Sequence, residues 1–206
     1  MDCPVCGKPY GITHECTGPV DRASMVPPEW TPPTGFAPLH YLRQAIAIAR
    51  WDEGAVLGAS LDPNALWYGI CIKIIGELLL VGGLILSQPI PANTRWLLVF
   101  VGSAILMVLD FALTLAQYGA CHLLARWMYG ARGSYIGVLR PLLLGSIVLW
   151  VAAIPIAGLL MSGIWGVAVM MIVFEEVDGI SRLKAFGLSL AIGTAFQVLG
   201  VLLRSR

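Results

Sequence analysis

Cys3, Cys6, His14 and Cys16 lie close together in MDCPVCGKPYGITHECTG, the first eighteen residues of the chain. Two thiolates two residues apart, with Gly7 behind them, form a CPxCG turn that can hold one tetrahedral zinc ion at about 2.3 Å. His14 and Cys16 are separated by a single residue, so a turn must bring them together, and Thr13 and Gly18 are compatible with one. A segment this small has no core and gains order from the metal. The alternatives are a disulfide, disfavoured on the reducing side of a membrane, and a free tail with incidental cysteines. With all four positions filled by protein, the expected Zn2+ is structural and has no open position for catalysis. Residues 1–18 are therefore expected to form a zinc knuckle, followed by a proline-rich linker over 19–36.

A second chemical constellation lies in WYGICIKIIGELLLVGGLILS, residues 67–87, where Lys73 and Glu77 interrupt an otherwise apolar run. Four residues apart on a helix, they share one face and can pair. Asp110, in the next apolar stretch, falls at a similar depth if the two segments are antiparallel neighbours. A charge at the centre of a bilayer costs about 2.5–3.5 kcal/mol on insertion scales, so three unpaired ones would be hard to sustain. Lys73 is accordingly expected to bridge Glu77 and Asp110. The carboxylate left over would take up a proton or attract a cation, which leaves a structural clamp and an ion site both open.

The elements that must position these groups follow from composition. The 206 residues are 58% hydrophobic and 12% charged, against a globular norm of about half and a quarter, which marks a membrane protein. A net charge of +1 points to neither nucleic acid nor a strongly acidic partner. Eight of the thirteen prolines precede residue 39, so a soluble head leads into a membrane body over 37–206. No charged start followed by an apolar core is visible, and a cleaved signal peptide is not expected.

A hydrocarbon core of about 30 Å needs roughly 20 apolar helical residues. Five spans are expected, at about 66–87, 96–118, 139–157, 158–175 and 185–203. The third and fourth are the shortest and form either a spanning hairpin or a re-entrant pair; the hairpin is favoured. Nine Lys and Arg, from Lys8 to Lys184, then fall on the inner side and three, Arg95, Arg204 and Arg206, on the outer. That bias places the N-terminus in the cytoplasm and the C-terminus outside. Trp67, Trp96, Trp127, Trp150 and Trp165 fall near span ends.

Two segments are amphipathic and too polar to cross. In 38–59 the residues Leu39, Leu42, Ile46 and Ala49 recur at helical spacing, which predicts a helix on the inner leaflet; Asp62-Pro63 then breaks the chain before the first span, with Asp62 as the cap of that span and Pro63 as its start. Residues 121–135 are expected to extend the second span along the membrane surface. Stripes of small residues, Gly69/Gly76/Gly83 and Gly187/Ala191/Ala195, suit close helix packing within a subunit or at a homo-oligomer face. Cys71 and Cys121 read as packing residues.

The fold class is thus an all-α membrane protein, a five-helix bundle with juxtamembrane helices and a small zinc knuckle. The stretches LRQAIAIARWDEGAVLGASLDPNALWYGI and IWGVAVMMIVFEEVDGISRLKAFGLSLAIG resemble the Yip membrane domain family, named for Ypt/Rab GTPase-interacting proteins, in its bacterial form. The matching positions are Arg43, Ala45 and Ala49; Ala125, Arg126 and Gly133; and Trp165, Glu176, Val177, Gly179 and Ala185. The resemblance implies five spans and a cytoplasmic N-terminus, in a bacterial inner membrane. The traffic role of eukaryotic members does not carry over, because their Asp-Leu-Tyr-Gly-Pro stretch is missing here. No Ser/His/Asp arrangement or phosphate loop suggests an enzyme. The expected function is a non-enzymatic scaffold binding a cytoplasmic protein or lipid; the alternative is a small-solute, proton or cation transporter using Lys73, Glu77 and Asp110.

Overall fold

The computed structural model describes residues 33, 35–87, 96–154 and 157–204. The chain divides into two units, Met1–Thr31 and Pro32–Arg206; Cys3, Cys6, His14 and Cys16 lie outside the described residues. In the second unit every regular element is helical: α1 (Pro38–Ala49), α2 (Glu53–Leu61), α3 (Ala65–Ser87), α4 (Trp96–Tyr129), α5 (Tyr135–Gly145) continued by a 3₁₀ segment (Ser146–Ala153), α6 (Ala157–Asp178) and α7 (Arg182–Arg204). Among the described residues four stretches are long and apolar enough to cross a membrane: Ala65–Gly83, Val99–Tyr129, Tyr135–Ala152 and Leu160–Asp178.

The third expected span begins earlier than its apolar run and is part α-helix, part 3₁₀ helix. Its start is fixed by Ser134, whose hydroxyl accepts the Gly137 N–H at 3.1 Å as an N-cap. α3 packs along this composite span with the two chains parallel. Gly69 makes this approach possible, because a Cβ there would overlap Leu143 and the Leu144 backbone. Seven residues on, Gly76 faces Leu149 and Trp150, so these two glycines of the first stripe serve packing within the subunit. The other stripe differs: Gly187, Ala191 and Ala195 are exposed on α7.

The largest departure from expectation concerns α1. It does not lie as a lone surface helix but packs with α2 against α5, α6 and the 3₁₀ segment. The face it buries is Tyr41, Gln44, Ala45 and Ile48, while Leu39 and Ile46 stay exposed. Periodicity misses this because the two polar members of the buried face find partners. Tyr41 donates to Asp62 Oδ2 at 2.6 Å, and Gln44 Nε2 donates to the Ala55 carbonyl at 3.3 Å. α1 closes with Trp51 N–H bonded to Ile48 O and Asp52 N–H to Ala47 O, a Schellman ending. Trp51 takes the left-handed position, φ 66°, usually held by glycine. Asp52 then caps α2 by accepting the Ala55 N–H at 2.9 Å.

α3 starts at Ala65 rather than at Pro63. Asp62 accepts the Asn64 N–H at 2.8 Å and so shapes the turn ahead of the helix. α4 runs unbroken for 34 residues, so the expected surface segment after it is simply its continuation. At about 1.5 Å per residue it is about 51 Å long, well beyond a core of about 30 Å. It packs mainly on α7, and none of its most apolar window is buried. Two of the tryptophans expected at span ends also tie helices together: Trp150 Nε1 donates to Ile72 O at 3.1 Å and Trp165 Nε1 to Ala49 O at 2.7 Å.

Candidate functional site

On α3 one helical turn separates Lys73 from Glu77, and the side chains meet with Lys73 Nζ 2.8 Å from Glu77 Oε1. The same ammonium lies 3.1 Å from Asp110 Oδ2 on α4. Burial is unequal across the three: the Lys73 and Glu77 side chains are each 5% exposed and Asp110 is 50% exposed. The asymmetry follows from packing. α3 presses its buried face on the α5 span, whereas α4 leans on α7 and touches α3 only sparsely, so Asp110 faces an open side. One ammonium serves two carboxylates, Glu77 enclosed by the bundle and Asp110 on its open side. Chemically the arrangement is a closed Lys–Glu pair with a half-open acid attached.

A second constellation sits where the end of α4, the α4–α5 turn, the end of α6 and the start of α7 converge. His122 Nδ1 is 3.1 Å from Asp178 Oδ2, and both residues are buried. Asp178 ends α6 next to Gly179, whose φ of 69° closes the helix as glycine readily does. The backbone of the α4–α5 turn bonds back, Arg132 N–H to Asp178 O at 3.2 Å. Gly133 lies so close to Asp178 Oδ1 that a side chain there would overlap it. Ala125 and Ala185 are fully buried beside this junction. Local sequence around His122 gives no sign of this partner, 56 residues away. The one signal was the acid directly before a helix-ending glycine.

The head of α1 is fastened to the start of α3. Ala37 N–H donates to the Tyr68 hydroxyl at 3.0 Å, and Tyr41 stacks on Tyr68 with ring centroids 4.0 Å apart. Burial and the bond to Asp62 hold the Tyr41 phenol well above its ordinary range. The last turn of α2 is tied to α5 by Arg140, whose guanidinium donates to Ser60 O at 2.8 Å, placing a cation at a helix C-terminus. Arg182 at the start of α7 bonds Glu175 at 2.6 Å and lies 3.8 Å from Glu53; the Glu175 bond raises its pKa further.

Among the described residues no cluster of three or more His, Cys, Asp or Glu could hold a metal ion. Cys121 is buried and Cys71 is exposed. No family model, curated protein or solved structure matches the chain.

Proposed function

We propose that the chain is a non-enzymatic membrane scaffold that carries a zinc-binding cytoplasmic head. In this reading five helices cross a bacterial inner membrane in the Yip manner. α7 is the fifth, the N-terminus lies in the cytoplasm and the C-terminus outside. Cys3, Cys6, His14 and Cys16 hold a structural zinc ion, and the head recruits a cytoplasmic protein.

The observation that supports it is the construction of the inner end. The buried His122–Asp178 pair and the turn at Gly133 join α4 to α6, and the buried Tyr41–Asp62 bond with the Tyr41–Tyr68 stack joins α1 to the start of α3. Buried polar contacts that are satisfied by partners rigidify and specify one arrangement. Rigidity at the end where α1 begins is what a platform needs. The test is capture of cytoplasmic proteins on the full chain in detergent, compared with the chain lacking residues 1–36. Scaffold function requires that capture be lost while membrane insertion is kept; equal capture by both forms refutes it.

A second reading is favoured by one observation, the half-open carboxylate of Asp110. A proton or cation path would use it as the exchanging group and Lys73–Glu77 as the fixed charges behind it. Flux into vesicles carrying the full chain, abolished in Asp110→Asn, would replace the scaffold reading.

A further inference from the structure

α6 presents Met161, Ile164, Trp165 and Ala168 on one stripe, and the α1–α2 turn lays Trp51 beside it, enclosing an open cleft of about 270 Å³. Its volume lies just below the roughly 300–1,000 Å³ of pockets that enclose a drug-sized ligand. Trp165 is fixed by its bond to Ala49 O. Trp51 is held in a left-handed conformation that bulky residues seldom adopt. Such strain persists where the surroundings impose it, and it gathers at binding sites. Met161 and Ile164 are at least half exposed, so the cleft opens on the outer surface of a helix apolar enough to cross the bilayer.

Its depth follows from α4. The helix exceeds the core by about 20 Å, and Gln117, His122 and Arg126 put the excess at the inner end. Gln117 Nε2 lies 3.9 Å from Met170 Sδ, so Met170 marks the same level on α6. Trp165, five residues further, is about 8 Å into the bilayer. An apolar cleft at that depth meets acyl chains of the inner leaflet.

The charges beside it name the headgroup. Arg43 and Arg50 are seven residues apart on the outward stripe of α1, both exposed, with the exposed Leu39 and Ile46 between and beside them. Neither arginine takes part in an ion pair among the described residues. The neighbouring acids are engaged elsewhere, Asp52 in capping α2 and Glu53 toward Arg182. Arg50 adjoins Trp51 at the cleft, Arg43 lies two turns nearer the start of α1, and guanidiniums on long apolar stems reach toward lipid phosphates, so the charges and the hydrocarbon-lined cleft form a two-part site.

We propose that the Trp51–Trp165 cleft holds an acyl chain of an anionic phospholipid whose headgroup is bound by Arg43 and Arg50. The inference rests on the membrane placement of the helices and is independent of the scaffold reading. The full chain in detergent, titrated with phosphatidylglycerol or with phosphatidylcholine of the same chains and examined by native mass spectrometry, tests it. One phosphatidylglycerol should be retained in preference to phosphatidylcholine. At about 1 kcal/mol per basic residue the two arginines give about a 30-fold preference. Arg43→Gln with Arg50→Gln should remove that preference and leave phosphatidylcholine binding unchanged. Ala168→Phe, which fills the cleft, should lose both lipids; if that variant does not fold, Trp51→Gly removes one wall while suiting the backbone and should do the same. Equal retention of the two lipids by the unaltered chain, a preference that survives the double arginine change, or full retention with the cleft filled or opened each overturns the proposal.

Discussion

Replacing Lys73 by leucine should destabilise the bundle through Glu77 rather than through Asp110. Glu77 is 5% exposed, and in Lys73→Leu it stays buried without its cation, whereas Asp110 is half open. Breaking a buried pair by removing one partner costs roughly 3–5 kcal/mol, while replacing both by apolar groups is often near neutral. Asp110, half exposed on a helix apolar enough to cross the membrane, can swing its carboxylate toward the interface or take up a proton, and so adds less to the loss than the enclosed Glu77. For a chain of this size 1 kcal/mol moves the melting temperature by about 2–4 °C, so Lys73→Leu should melt roughly 6–20 °C lower. Adding Glu77→Leu should recover most of that loss, and adding Asp110→Leu instead should recover little. Thermal unfolding of the purified chain in one detergent, with the single and both double variants side by side, measures all three. Equal recovery by the two second-site changes would show that the burial asymmetry has no energetic weight. An unaffected single variant would remove the cluster as a structural element altogether.

Trp51→Gly suits the left-handed φ and should raise stability by about 1 kcal/mol, detectable as a higher melting temperature. Tyr41→Phe deprives the buried Asp62 of a donor and should cost about 1–3 kcal/mol in the same assay. Because the folded Tyr41 has a raised pKa, its contribution is fully present below about pH 10 and lost as pH climbs above it; the fall in stability between neutral pH and pH 11 should be shallower in Tyr41→Phe. Metal analysis of the full chain should find one zinc per molecule, absent in Cys3→Ser with Cys6→Ser. A C-terminal reporter active only in the cytoplasm should stay silent, and activity would point to an even number of crossings.

The helical, membrane-type architecture is legible because apolar runs of sufficient length have few other uses. The meeting of Lys73 with both carboxylates is also within reach of counting, since helix spacing fixes one pair and depth from the inner end fixes the other. Their unequal burial is not, because it depends on α4 leaning on α7 rather than on α3. The face of α1 defeats local pattern reading for a related reason. Tyr41 and Gln44 look like solvent-side residues until Asp62 and the Ala55 carbonyl are placed opposite them. His122 and Asp178 are likewise unremarkable in sequence, each gaining meaning only when α4 and α6 end at one level. Cys3, Cys6, His14 and Cys16, the plainest chemical signal in the sequence, lie outside the described residues.

The seating of α1 and α2 also sets an order of events during synthesis. These helices emerge early, yet the surfaces that cover Ile48, Gly145 and Val169 among them, are made some hundred residues later. At roughly 5–20 residues per second, about 6–24 s separate the appearance of Ile48 from that of Val169. Throughout that interval Tyr41, Ala45 and Ile48 are without their cover, while α3 and α4 are already entering the bilayer. Docking of the α1–α2 hairpin is therefore a late step, and a chain arrested after α4 exposes an unfinished apolar face. Membrane quality control could recognise incomplete chains by that face, before any defect in the spans themselves is apparent.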